Sequence, residues 1–98
     1  MTDKPTSIAN AADNRLAILD AILAEVRREI VRAMEKFAPF NSPHEGYAVI
    51  LEELDELWDE VKFNRGRGQS GMTEATQTAA MAVRYILDLA IYPTGSAK

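Results

Sequence analysis

The segment Glu52-Glu53-Leu54-Asp55-Glu56-Leu57-Trp58-Asp59-Glu60 places six carboxylates in nine residues. Apolar residues recur through the same segment at helical steps, so the acids lie on one amphipathic helix. Residues three and four apart are neighbours on a helix surface, and like charges there repel. Such a run is either a solvated acidic face or half of a divalent-metal site. At about 100° per residue the acids divide. Glu53, Glu56 and Glu60 share one flank, Asp55 and Asp59 fall on the other, and Glu52 lies between. Glu53 and Glu56 can reach one point in space. Hard cations such as Mg²⁺ take oxygen ligands and keep several waters, so two or three carboxylates suffice.

Three helices are expected to position these groups. The first starts near residues 8–14 and runs to about Phe37. Its apolar stripe is Leu16, Leu19, Leu23, Val26, Ile30, Ala33 or Met34, and Phe37. Pro39 and Pro43 interrupt it. Ser42 then caps a second helix, with Pro43 at its first position and Glu45 completing a capping box. That helix extends to about Asn64, with Tyr47, Ile50, Leu51, Leu54, Leu57, Trp58 and Val61 as its apolar stripe. The glycines between Asn64 and Gly71 mark a loop. Ser70 or Thr73 is expected to cap a third helix, which ends near Ile91 before Pro93 and Gly95. The third helix is apolar well around its circumference, and such helices are covered on more than one side. With three helices per chain, the expected cover is another subunit.

An antiparallel hairpin of the second and third helices brings Glu74 against the C-terminal half of the acidic run, nearest Glu56 and Glu60. Gln77 follows Glu74 at i, i+3. Asp88 lies about 20 Å further along by helical rise, too far to share the site.

The 98 residues make one domain. Residues 1–7 are polar, contain Pro5 and read as a disordered N-terminal tail, 8–92 as the domain and 93–98 as a C-terminal tail. The net charge of -4 disfavours a nucleic-acid partner, because phosphate-backbone binding needs clustered Lys and Arg. With no cysteine, disulfides and thiolate chemistry are excluded. No apolar run is long enough to span a bilayer, and the first residues lack the apolar core of a signal peptide, so a cytoplasmic location is expected.

The stretch Glu52-Glu53-Leu54-Asp55-Glu56 matches an EExxE pattern, with Glu74 downstream. In this it resembles the all-α nucleotide pyrophosphohydrolases, the superfamily of MazG, the dimeric dUTPases and phosphoribosyl-ATP pyrophosphatase. The string His44-Glu45-Gly46-Tyr47-Ala48-Val49-Ile50 leading into it looks like small phage-type or bacterial MazG-like proteins. The resemblance covers about residues 16 to 90 in helix order and motif spacing. EExxE alone is common; the capped entry and the acid on another helix make it more specific. The resemblance implies an all-α bundle of three main helices, completed to four-helix packing by a homodimer or tetramer. It implies Mg²⁺, or Mn²⁺, held by Glu53, Glu56 and Glu74. Gln77 stands where the family pattern has Asp, and a neutral amide offers an oxygen but no charge. The implied reaction converts a nucleoside triphosphate to the monophosphate and pyrophosphate, with Glu52 or Glu60 orienting the attacking water. Lys62, Arg65 and Arg67 follow the acidic run and are candidates for the phosphate oxygens; their bland alternative is a solubilising loop.

Other residues carry weaker expectations. His44 reads as a surface or capping residue. Trp58 reads as core, with base stacking as the sharper alternative. Phe40 and Asn41 are candidates for base contact. Arg84 is expected to pair with an acid of the second helix such as Glu53. Two rival readings stand beside hydrolysis. One is a MazG-like module that binds nucleotide or metal without turnover. The other is a helical assembly protein whose acidic face meets a partner.

Overall fold

A computed structural model of the chain describes the backbone of residues 3–91 and the side chains of residues 10–89. It is all-helical, with no strand among the described residues. Helix α1 spans Asp3–Lys36, α2 Pro43–Asn64 and α3 Gln69–Tyr85, and a π-helical segment continues α3 over Ile86–Ile91. α1 thus begins N-terminal to the expected start, and Pro5 sits in its first turn, where a missing N–H costs little. Residues 1–2 of the expected tail, and all of 93–98, lie outside the described residues.

The entry to α2 forms as its residues dictate. Ser42 is extended, and its Oγ accepts from the Glu45 N–H at 3.1 Å. The Glu45 carboxylate reaches back to the Asn41 N–H, one residue before the cap itself. At the other end Arg65 takes a left-handed conformation (φ 66°) and its N–H closes on the Glu60 carbonyl. Gly71 is required for the tight turn that follows. A Cβ there would stand 2.4 Å from the Gly66 carbonyl oxygen. The start of α3 corrects one expectation: Gly68 occupies the N-cap and makes no side-chain cap hydrogen bond, so neither Ser70 nor Thr73 caps it.

α3 is the central element. α2 packs along one side of it and α1 along another. The buried apolar cluster is small: Val26, Ala33, Phe40, Ala80 and Met81, with Ile30, Val49, Ile50, Tyr85 and Leu89 against it. Ala80 is fully buried because a methyl is all that fits where α3 meets its neighbours.

A buried ionic latch ties the α1–α2 connection to the end of α3. Arg84 donates to the Ala38 carbonyl at 2.7 Å, pairs with Asp88 at 3.3 Å and lies 4.2 Å from the centroid of the Phe40 ring. Asp88 also accepts from the Phe40 N–H at 3.0 Å. Arg84 therefore pairs within its own helical run and not with Glu53. A charge this buried needs such partners. The π-helical segment includes Asp88, so local rewinding of the helix coincides with the latch.

Much of each amphipathic stripe is left uncovered. On α1, Leu16, Leu19 and Leu23 are about half exposed. On α2, Tyr47, Leu51, Leu54, Trp58 and Val61 form an exposed row at steps of four and three. Trp58, expected in the core, is 55% exposed. The Cα radius of gyration is 17.5 Å, against ~13 Å for a compact domain of this length.

Candidate metal centre

The α2–α3 hairpin sets Glu74 opposite the flank of α2 that carries Glu53 and Glu56. One carboxylate oxygen from each of Glu53, Glu56 and Glu74 lies within 4.8 Å of the others. Two of the three come from adjacent turns of one helix, and the third from the antiparallel partner. Glu53 and Glu74 are half-buried and Glu56 is exposed, so the cluster opens to solvent on one side.

Burial and close like charges both act against the ionised forms of Glu53 and Glu74. Burial pushes the Glu53 carboxyl above its ordinary range, and the charges of Glu56, Glu74, Glu52 and Glu29 push it further. Burial raises Glu74 as well, followed by its hydrogen bond with Glu56 and the charges of Glu56 and Glu60. The donor set is all oxygen, anionic and partly dehydrated, which suits a hard divalent cation.

This strain has a pH signature. Carboxyls raised on folding bind protons more tightly in the folded chain. Their stabilising contribution is complete below the ordinary carboxylate value of 4.5 and is lost as pH rises through the raised values. A cation that replaces those protons should therefore stabilise more at pH 7.5 than at pH 4.5, where protons compete. At tenfold excess over Kd, ligand linkage gives about 1.4 kcal/mol, or roughly 6–11 °C in melting temperature for a chain of this size. Differential scanning fluorimetry with 0–10 mM MgCl₂ at the two pH values checks this; an equal shift at both would contradict it.

The other candidates are distributed around the triad. Glu60 stands near Glu74, as expected, and its Oε1 accepts from Asn64 Nδ2 at 3.0 Å. Glu52 and Glu53 line a cleft of about 620 Å³ between α2, α1 and the latch loop. Gln77 lines the same cleft, and its Nε2 donates to Glu29 Oε1 at 3.1 Å. Asp88 is committed to the latch and takes no part. Asp59 pairs with Lys62 at 3.6 Å on the opposite, solvated flank. The Lys62 ammonium also sits over the Trp58 and Phe63 rings at 5.6 and 5.2 Å. None of Lys62, Arg65 and Arg67 lines the cleft.

Phe40 is buried, with the Arg84 guanidinium over its ring, so it offers no free face to a base. The residue that periodicity missed is Glu29. It lies on α1, 24 positions before Glu53 in the chain, and no local spacing relates the two. Comparison with protein-family models, with curated proteins and with solved structures gave no match.

Proposed function

We propose that this chain is a divalent-dependent hydrolase of nucleoside triphosphates, releasing the monophosphate and pyrophosphate. The convergence of Glu53, Glu56 and Glu74 from two helices carries the reading. A bound Mg²⁺ or Mn²⁺ would neutralise phosphate charge and favour attack on phosphorus. The chain's own residues supply the rest. Glu53, Glu56 and Glu74 would hold the cation, with the Gln77 amide oxygen as an uncharged fourth donor. Glu52, exposed at the cleft edge beside Glu53, orients a water and accepts its proton as the new oxygen–phosphorus bond forms. The α–β anhydride bond breaks and pyrophosphate leaves. Glu60, tethered by Asn64, stands one turn beyond and preserves the negative field around Glu74.

The test is pyrophosphate release from a panel of ribo- and deoxyribonucleoside triphosphates with 5 mM Mg²⁺. At least one should be cleaved, with loss of turnover on chelation. If none is cleaved but Mg²⁺ still raises the melting temperature, the chain is a binding module without turnover.

Assembly with a second copy belongs to the same reading. The chain exposes 7279 Å², whereas a folded monomer of 10.9 kDa exposes ~5,600 Å². The surplus approaches what one protomer loses in an obligate dimer. The α2 row of Tyr47, Leu51, Leu54, Trp58 and Val61 supplies the apolar seam for a fourth-helix contact. The chain should sediment as a dimer or larger at 50 μM. Leu54→Glu with Trp58→Glu should move it to monomer, and a wild-type monomer at that concentration would remove the assembly from the account.

A further inference from the structure

The cleft beside the triad has a second, cationic wall that the acidic run does not reveal. Arg32 and Lys36, one turn apart on α1, line it together with Glu52 and Glu53 of α2. Neither is buried, and Arg32 is held at 3.2 Å by Glu29, the same carboxylate that engages Gln77. These contacts tie the Arg32 guanidinium through Glu29 to Gln77 of α3, and all three side chains line the cleft with Glu53. Phe37 follows α1 and lines the cleft with Asn41, and the residue is 61% exposed. The cleft volume, about 620 Å³, lies in the range of small-molecule sites.

A cleft with Glu52 and Glu53 on its α2 wall, Arg32 and Lys36 beside Glu29 on its α1 wall, and an exposed aromatic residue at its edge suits a ligand that is itself divided. The geometry points to Arg32 and Lys36 as the phosphate-chain subsite, with Phe37 as the platform for the base. The occupant is a nucleoside polyphosphate. Arg32 forks onto two phosphate oxygens and Lys36 supplies a point charge, as these side chains do wherever phosphate is bound. Phe37 stacks on a base face, a contact indifferent to base identity. In this arrangement Lys62, Arg65 and Arg67 are a solvated helix end and loop. The inference rests on the proposed metal centre for the other end of the phosphate chain, but the cationic wall is testable alone.

The probes are inorganic tripolyphosphate and α,β-imido-dUTP, titrated calorimetrically with and without Mn²⁺. The chains are wild type, Arg32→Gln/Lys36→Gln, Phe37→Ala, and Lys62→Gln/Arg65→Gln/Arg67→Gln, each verified as folded by circular dichroism. Arg32→Gln/Lys36→Gln should weaken both probes at least tenfold while leaving the binding of Mn²⁺ alone within twofold. Phe37→Ala should weaken the nucleotide about tenfold and leave tripolyphosphate unchanged. Equal affinity of wild type and Arg32→Gln/Lys36→Gln for tripolyphosphate overturns the inference, as does a loss confined to the Lys62/Arg65/Arg67 variant or a wild type that binds neither probe. Failure of wild type to bind Mn²⁺ alone overturns the metal reading instead. A tenfold loss in Arg32→Gln/Lys36→Gln without metal would still support the cationic wall.

Discussion

Replacing Glu56 by Gln should lower divalent-dependent pyrophosphate release by about 100-fold or more, yet raise the melting temperature of the metal-free protein at pH 7.5. The two effects have one cause. Glu56 stands close to Glu74 and adds its charge to both neighbours, whose carboxyls are already pushed up by burial. Gln keeps the shape and can donate the hydrogen bond that two ionised carboxylates cannot make. Removing one like charge from a helix-surface cluster relieves a few tenths of a kcal/mol, worth about 2–4 °C in a chain of this size. A residue whose loss stabilises the fold and destroys activity is held for function. Parallel melts and turnover assays decide it. A Glu56→Gln protein less stable than wild type without metal would mean that the triad is a structural hydrogen-bond cluster.

Breaking the latch should be the largest single loss of stability. Arg84→Met removes the partner of an Asp88 side chain that is 8% exposed. It also strands the Ala38 carbonyl and uncovers the Phe40 ring. Removing one member of a buried pair costs about 3–5 kcal/mol, because the other charge is left without compensation. In a domain this size that is a fall of at least ~12 °C. The double change Arg84→Met/Asp88→Leu should recover a good part of it, since no buried charge then remains. Urea unfolding of wild type, Arg84→Met, Asp88→Leu and the double variant gives the coupling energy directly. Additive losses in the double variant would show that the pair is not acting as a unit.

The latch and the triad differ in how far they could be read from residue order. Ser42, Pro43 and Glu45 announced the start of α2 because caps are local. Glu53 and Glu56 could be paired because helical geometry fixes neighbours three apart. Glu74 followed once a glycine-marked turn made the hairpin antiparallel. The latch is different. Arg84 pairs with Asp88 four residues on, a local spacing, but its contacts with Ala38 and Phe40 span more than 40 positions. No periodicity encodes them, and the π-helical segment that carries Asp88 leaves no compositional mark. Trp58 shows a second limit. An apolar stripe says that a face avoids water, not what covers it, so a residue expected in the core of one chain stands 55% exposed on it. The cationic wall of the cleft shows a third. Arg32 and Lys36 lie off the apolar stripe of α1, and their nearness to Glu53 depends on how α1 is rotated against α3.

The most direct measurement of the account is anomalous scattering from crystals soaked in Mn²⁺. A single strong peak within coordination distance of Glu53, Glu56 and Glu74 is the predicted result, lost in Glu56→Gln. Ordered, empty carboxylates at millimolar Mn²⁺, or a peak elsewhere on the acidic face of α2, would contradict it.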